Sequence, residues 1–170
     1  VDRGYELAYL NPVIFYRPVE FSKQSHVGNA LMGVSFNTTF RKSILYAQFL
    51  LDDLNISRQE DRDNDYQEGF FQNKYGYQLG LKGNIRDFKY LIEYNQVQPY
   101  TYGHRTILQN YSHMNQALAH PLGANFKEWI SLLEIRKGKL TYKIKTIFTC
   151  VGLDSLETHY GQNIFESDFL

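Results

Sequence analysis

Apolar side chains occupy every second position in several stretches of the chain, which is the period of a β-strand whose two faces meet different surroundings. In the first stretch, residues 30–40, the alternating apolar positions are Ala30, Met32, Val34, Phe36 and Phe40. A short polar turn near Arg41 leads to a second stretch, in which the alternating apolar residues are Leu45, Ala47, Phe49 and Leu51. Two alternating runs joined by a short turn predict a β-hairpin.

Two further hairpins follow the same pattern. The clearest alternation in the chain sets Tyr75, Tyr77, Leu79 and Leu81 against glycine, glutamine and lysine. This run is joined to its partner by a turn near Asn84, and the last two runs are joined by a turn near Lys137. In the fifth run the apolar side is assigned to Trp129, Leu133 and Ile135. The predicted strands are residues 30–40, 44–54, 74–83, 88–98, 125–136 and 140–151.

The connections alternate between these tight turns and two long polar loops, residues 55–73 and 99–123. Strands of about ten residues with short turns at one end and long loops at the other are typical of outer-membrane β-barrels. We therefore predict an all-β fold, an antiparallel meander of about six long strands that is part of a larger outer-membrane β-barrel. Membrane barrels start at about eight strands, so residues 1–170 are expected to be a single barrel fragment. A soluble antiparallel sheet with its apolar face turned inward alternates in the same way and remains the alternative.

The polar positions of these strands are expected to face the lumen of the barrel. Charges of both signs occur among them, which favours a cross-strand network over a single-sign ion filter. Lys89 is one of these charged residues. The predicted lumen network consists of Gln48, Gln78, Lys82, Glu93, Asn95, Glu128, Lys143 and Lys145.

Composition narrows the function classes. The 170 residues carry 18 basic and 18 acidic side chains, so no basic surplus points to a nucleic-acid partner. The one cysteine, Cys150, rules out an intramolecular disulfide framework. No apolar run approaches the roughly 18 residues of a membrane-spanning helix. Because the chain starts without Met or a signal-peptide pattern, it is expected to be either soluble or a processed or truncated piece.

The loop 99–123 is dense in His, Asn, Gln and Tyr, and therefore invites a search for a site. His104, His113 and His120 lie nine and seven residues apart, without a catalytic motif or the tight spacing of zinc ligands. We therefore predict no catalytic residue, no metal and no cofactor. A carbohydrate-active enzyme would need two carboxyl groups about 5 to 10 Å apart, for which Glu93 and Glu128 are the candidate pair.

Two interpretations of this loop stay open. In the first, tyrosines stack on sugar rings while amides and imidazoles bond to hydroxyls. In the second, the loop folds over or into the lumen and its polar side chains satisfy the interior. The candidate glycan-binding residues are Tyr100, Tyr102, Tyr111, His113, Asn115, Gln116 and His120, with Tyr160 as a further stacking candidate.

The acidic segment 60–68 resembles the opening of an EF-hand, because Asp61, Asp63 and Asp65 alternate. That loop requires Gly and Glu at two positions, which here are Tyr66 and Gln72. A solvated acidic loop is predicted, and weak calcium binding is the alternative.

Several long blocks between about Leu10 and Asp154 resemble one family. These are "LNPVIFYRPVEFS", "LYAQFLLDDL", "NKYGYQLGLK", "LIEYNQVQPYTYGH" and "NYSHMNQALAHPLGANFKE". They are similar to the Wzi-like capsule assembly proteins of Bacteroidota, a group that includes proteins labelled gliding motility protein RemB. The resemblance implies a non-enzymatic protein of the outer membrane whose partners are the lipid bilayer and a capsular or surface polysaccharide, with a role in capsule assembly or in gliding. A soluble carbohydrate-binding β-sheet module is the alternative.

Overall fold

A computed structural model describes residues 31–53, 73–104, 107–114, 116–154 and 159–167. The acidic segment 60–68 and Asn115 therefore lie outside the described residues. The described residues form eight strands, and six of these strands form one sheet. Their bounds are β1 Met32–Phe40, β2 Ser43–Asp53, β3 Lys74–Ile85, β4 Phe88–Val97, β5 Ser112–His113, β6 Gln116–Ala117, β7 Phe126–Lys137 and β8 Leu140–Val151.

The large sheet has the order β1-β2-β3-β4-β7-β8, and every neighbouring pair is antiparallel. This confirms the predicted all-β meander of six long strands. Within the described residues the sheet is open, because β1 and β8 each pair with a single neighbour. The short strands β5 and β6 form a separate two-stranded hairpin inside the connection between β4 and β7.

The strands begin and end within two residues of the predicted ranges. One predicted turn is displaced, because Asn84 and Ile85 pair with Lys89 and Phe88 and thereby extend β3. The three hairpin turns are two residues long and start at Arg41, Arg86 and Gly138. The first residue of each has positive φ, at 56°, 55° and 63°. A type II′ hairpin turn prefers glycine at this position. Of the three turns, only the third has glycine there, at Gly138.

One face of the sheet is apolar across all six strands. The register aligns an apolar row made of Phe36, Ala47, Leu79, Tyr94, Trp129 and Phe148. Other described residues cover little of this face, since Val34 is 71% exposed and Phe148 is 67% exposed. Tyr94 and Trp129 pair directly, so the predicted facing of β7 is confirmed.

The opposite face is polar. Its central polar row runs through Ser35, Gln48, Gln78, Asn95, Glu128 and Thr149. All eight residues of the predicted lumen network lie on this face, because their register positions share its parity. The predicted polar residues therefore lie opposite the apolar row, although the polar face also carries the apolar side chains of Ile44, Leu91 and Leu132 beside Lys82.

At one end of the sheet, the described residues of 98–125 and of 152–167 form a cap. Its small core packs against the sheet end and contains Val97, Tyr102, Ala124, Phe126 and Ile164. The only helix in the described part of the chain is the single 3-10 turn Ile107–Gln109, and no helix there is long and apolar enough to cross a membrane.

Candidate functional site

The cap and the polar face line a partly open cavity of about 460 Å³ at the loop end of the sheet. The sheet contributes amide side chains to its lining, from Gln48, Gln78 and Asn95. The cap contributes Tyr102, Tyr111, Leu118, Ala119 and His120. A cavity with an apolar wall and a few convergent polar groups is the usual form of a small-molecule site.

A chain of hydrogen bonds runs along the polar face toward this cavity. The Tyr46 hydroxyl donates to Glu93 Oε2. Asn95 Nδ2 donates to Glu93 Oε1 at 3.0 Å and to Glu128 Oε2 at 3.2 Å. His120 Nε2 lies 3.5 Å from the same Glu128 oxygen. The amide of Asn95 thus bridges Glu93 and Glu128, the two carboxyl groups that were the candidate pair for a carbohydrate-active enzyme.

A second charged group lies nearer the tight turns. Glu134 Oε1 is 3.3 Å from Lys89 Nζ, and its Oε2 is 3.3 Å from Lys143 Nζ. The register explains this, because Lys89 and Lys143 are the direct cross-strand partners of Glu134. The sequence prediction missed Glu134, although it lies an even number of positions from Glu128 and therefore shares its face.

The candidate glycan-binding residues divide into separate groups. Tyr102, Tyr111 and His120 line the cavity. The Tyr102 and Tyr111 rings stack with centroids 5.9 Å apart, and the His120 ring stacks on Phe126 at 4.5 Å. Burial raises the pKa of Tyr102 to about 12, with further contributions from Asp52 and Tyr111.

The other candidates lie away from the cavity lining. Tyr100 is buried, its hydroxyl donates to the His159 carbonyl oxygen at 2.6 Å, and its ring makes an edge contact with the His159 ring. His113 and Gln116 pair in the exposed β5-β6 hairpin. Tyr160 is exposed on the far segment of the cap.

Two buried charged residues that the sequence prediction missed hold the cap in place. Asp52, at 1% exposure, accepts hydrogen bonds from the Tyr102 backbone N–H at 2.7 Å and from His104 Nε2 at 3.2 Å. Lys74, also 1% exposed, donates to the Gly103 carbonyl at 2.7 Å. Both residues lie at the loop end of their strands. They tie the start of the long loop to β2 and β3.

A cluster of possible metal ligands lies in the second part of the cap. Asp154, His159 and Glu166 place one potential ligand atom each within 4.8 Å of one another. This is the one such group found within the described ranges. The sequence prediction missed it because the spacings of five and seven residues match no metal motif.

The structure thus defines a class, a six-stranded antiparallel meander with one apolar face, one polar face and a capped cavity. Neither a family model, nor a curated protein, nor a solved structure matches this chain.

Proposed function

We propose that this chain is part of an outer-membrane β-barrel that serves surface polysaccharide assembly or attachment, or gliding, as the family resemblance implies. The observation that carries the proposal is the pair of opposed rows. Every residue of the apolar row in the four central strands is apolar, and every residue of the polar row in those strands is polar. In the proposal, the apolar row contacts lipid and the polar row faces the lumen.

Free energy favours this placement of the apolar face. A fully exposed Leu or Phe side chain costs about 1.5 to 3 kcal/mol relative to a buried one. On this face Val34, Phe36, Leu79, Tyr142, Ile144 and Phe148 are each more than half exposed. A continuous apolar surface of this kind marks an interaction site with a protein or a membrane. Hydrocarbon chains of lipid would remove the cost at every position at once.

The dimensions support the same placement. The six strands are 9 to 12 residues long, and a tilted transmembrane strand needs about 9 to 11 residues. A bilayer does not tolerate unpaired sheet edges. The proposal therefore requires further strands that pair with the free edges of β1 and β8.

The cavity is where a polysaccharide segment would contact this barrel. Amides from the polar row can bond to sugar hydroxyls, and the partly exposed Tyr111 ring offers a stacking surface at the cavity wall. This part of the proposal rests on Tyr102, Tyr111 and His120 among the sequence-predicted candidates.

The membrane proposal is tested by nitroxide labels on adjacent positions of β3 in the full-length protein. Single labels are placed at Tyr77→Cys, Leu79→Cys and Leu81→Cys, each in a background where Cys150 is replaced by Ser. The matched controls are Gln78→Cys and Lys82→Cys on the polar face. In native membranes or lipid vesicles, apolar-face labels should be accessible to oxygen and protected from a water-soluble nickel complex, and polar-face labels should show the reverse.

Equal access of the nickel complex to both faces would overturn the membrane proposal and favour the soluble module. Protection of the apolar face from both oxygen and the nickel complex would also overturn it, because it would place the face in a protein core. A separate glycan-array experiment with Tyr111→Ala tests the polysaccharide part. If Tyr111→Ala binds the same glycans as the native protein, the cavity is not the polysaccharide-binding site.

A further inference from the structure

The structure assigns a binding site for a divalent first-row transition metal ion, represented here by Zn²⁺, to Asp154, His159 and Glu166 in the cap. The three residues come from two described segments of the cap. The site lies apart from the cavity, and the assignment holds whether or not the sheet is part of a membrane barrel.

The distances between the donor atoms fit a small cation. His159 Nδ1 lies 3.1 Å from Asp154 Oδ2 and 3.3 Å from Glu166 Oε2. Zinc bonds of about 2.0 to 2.2 Å at a tetrahedral angle place two ligand atoms about 3.3 to 3.6 Å apart. The imidazole nitrogen and each carboxylate oxygen therefore stand at nearly the separation of two ligands on one ion.

Charge favours a cation at the same place. Two carboxylates face one imidazole nitrogen, and the His159 side chain is only 6% exposed. A neutral imidazole leaves two negative charges uncompensated by the cluster itself. A divalent ion would neutralise them, whereas a protonated imidazole neutralises only one.

Hydrogen bonds from outside the cluster fix the ligands in position. Asp154 Oδ1 accepts a hydrogen bond from the Tyr160 backbone N–H. Asp154 Oδ2, the oxygen that faces His159, accepts hydrogen bonds from the Gln162 and Asn163 backbone N–H groups at 3.2 and 2.8 Å. Asn163 Nδ2 donates to Glu166 Oε1 at 2.9 Å, which leaves Oε2 directed at His159. Such supporting donors orient ligands in known metal sites and typically change affinity by 10- to 100-fold.

Solvent access and chemistry define the ion class. Glu166 is 54% exposed, so an ion can enter from water and keep a water molecule as a further ligand. Imidazole suits zinc and its neighbours, while calcium prefers oxygen ligands alone. An ion here would hold segment 159–167 against the loop, since Tyr100 N donates to Gly161 O and Asn110 Nδ2 donates to Ile164 O.

The test is zinc titration by calorimetry of the full-length, chelator-treated protein, with cobalt absorption as a spectroscopic check of the ligand geometry. The native protein should bind a single zinc ion at this site. Glu166→Gln and His159→Gln should each weaken binding by at least about tenfold. The exposed His113→Gln variant is the control and should bind as the native protein does.

Glu166→Gln keeps an oxygen that can accept from Asn163 and lies at the surface, so it separates loss of a ligand from loss of the fold. Circular dichroism of both variants should keep the strand signal. Absence of saturable zinc binding up to millimolar concentration would overturn the assignment and leave the cluster as an ion pair. Equal affinity in native protein and Glu166→Gln, or equal competition by calcium, would also overturn it.

Discussion

The Tyr46 ring lies across Gly80 to reach Glu93, and this arrangement predicts the effect of a single added methyl group. Tyr46, Gly80 and Glu93 are direct neighbours in one cross-strand row of the polar face. A Cβ atom on Gly80 would lie 2.1 Å from Tyr46 Cζ and 2.4 Å from the hydroxyl oxygen. Gly80→Ala must therefore push the ring off the sheet and break its hydrogen bond to Glu93.

The magnitude follows from three effects. Overpacking of this kind costs about 1 to 3 kcal/mol, and loss of a hydrogen bond to a charged group costs about 1.5 to 3 kcal/mol. Replacing glycine in a strand returns roughly 0.5 to 1 kcal/mol of backbone entropy. We expect Gly80→Ala to lower the free energy of unfolding by about 3 kcal/mol.

Urea unfolding of the full-length protein, folded in detergent micelles, measures this change from the shift in midpoint at constant slope. Gly33→Ala is the matched control, because it lies on the same face and its added Cβ would meet only the Phe49 carbonyl oxygen at an ordinary 3.7 Å. That variant should be neutral or stabilised by less than about 1 kcal/mol.

A double-mutant cycle identifies the cause. In a Tyr46→Ala background, Gly80→Ala should cost less than about 0.5 kcal/mol, because the ring that blocks the methyl group is absent. The reasoning is refuted if Gly80→Ala costs the same in both backgrounds, or no more than Gly33→Ala.

Two further predictions concern a turn and the cap. Arg86 has a positive φ in a two-residue turn, so Arg86→Gly should raise the free energy of unfolding by about 1 kcal/mol. Gly138→Ala should lower the free energy of unfolding by a similar amount. Urea unfolding measures both changes, and an Arg86→Gly variant less stable than the native protein would contradict the reasoning. The pKa of Tyr102 is raised to about 12 by burial, Asp52 and Tyr111, above the value of about 10 in an unfolded chain. The neutral Tyr102 hydroxyl should therefore contribute fully to the free energy of unfolding below about pH 10. As the pH rises toward 12, the free energy of unfolding should fall by about 2 kcal/mol. Tyr102→Phe should remove that loss in alkaline unfolding curves, whereas the exposed Tyr160→Phe should retain it.

The fold was largely predictable because alternation depends on neighbouring residues alone. The run from Tyr75 to Leu81 has a period of two. In a strand, side chains alternate between the two faces, so this pattern fixes which residues lie on the apolar face and which lie on the polar face. The displaced turn at Arg86 was not predictable in the same way. Asn84 and Arg86 are both residues found in turns, and the cross-strand partners of Asn84 and Ile85 decide where β3 ends.

The candidate site was predictable only in part. The density of Tyr, His and Asn in the loop indicated Tyr102, Tyr111 and His120, which line the cavity. The same density also indicated Tyr100 and His113, which face other surroundings. Loop residues have no period, so composition cannot say which side of the cap a tyrosine occupies.

By itself, the sequence determined the strands, their antiparallel order and the division into an apolar and a polar face, because these follow from local periodicity and short turns. Only the tertiary structure decided that Tyr46 crosses Gly80 to Glu93, that Asp52 and Lys74 anchor the loop, and that Asp154, His159 and Glu166 meet. Each of these contacts joins residues whose approach depends on register or on the path of the cap. Such distances are set by the packing of the whole sheet and cap, which no local pattern encodes.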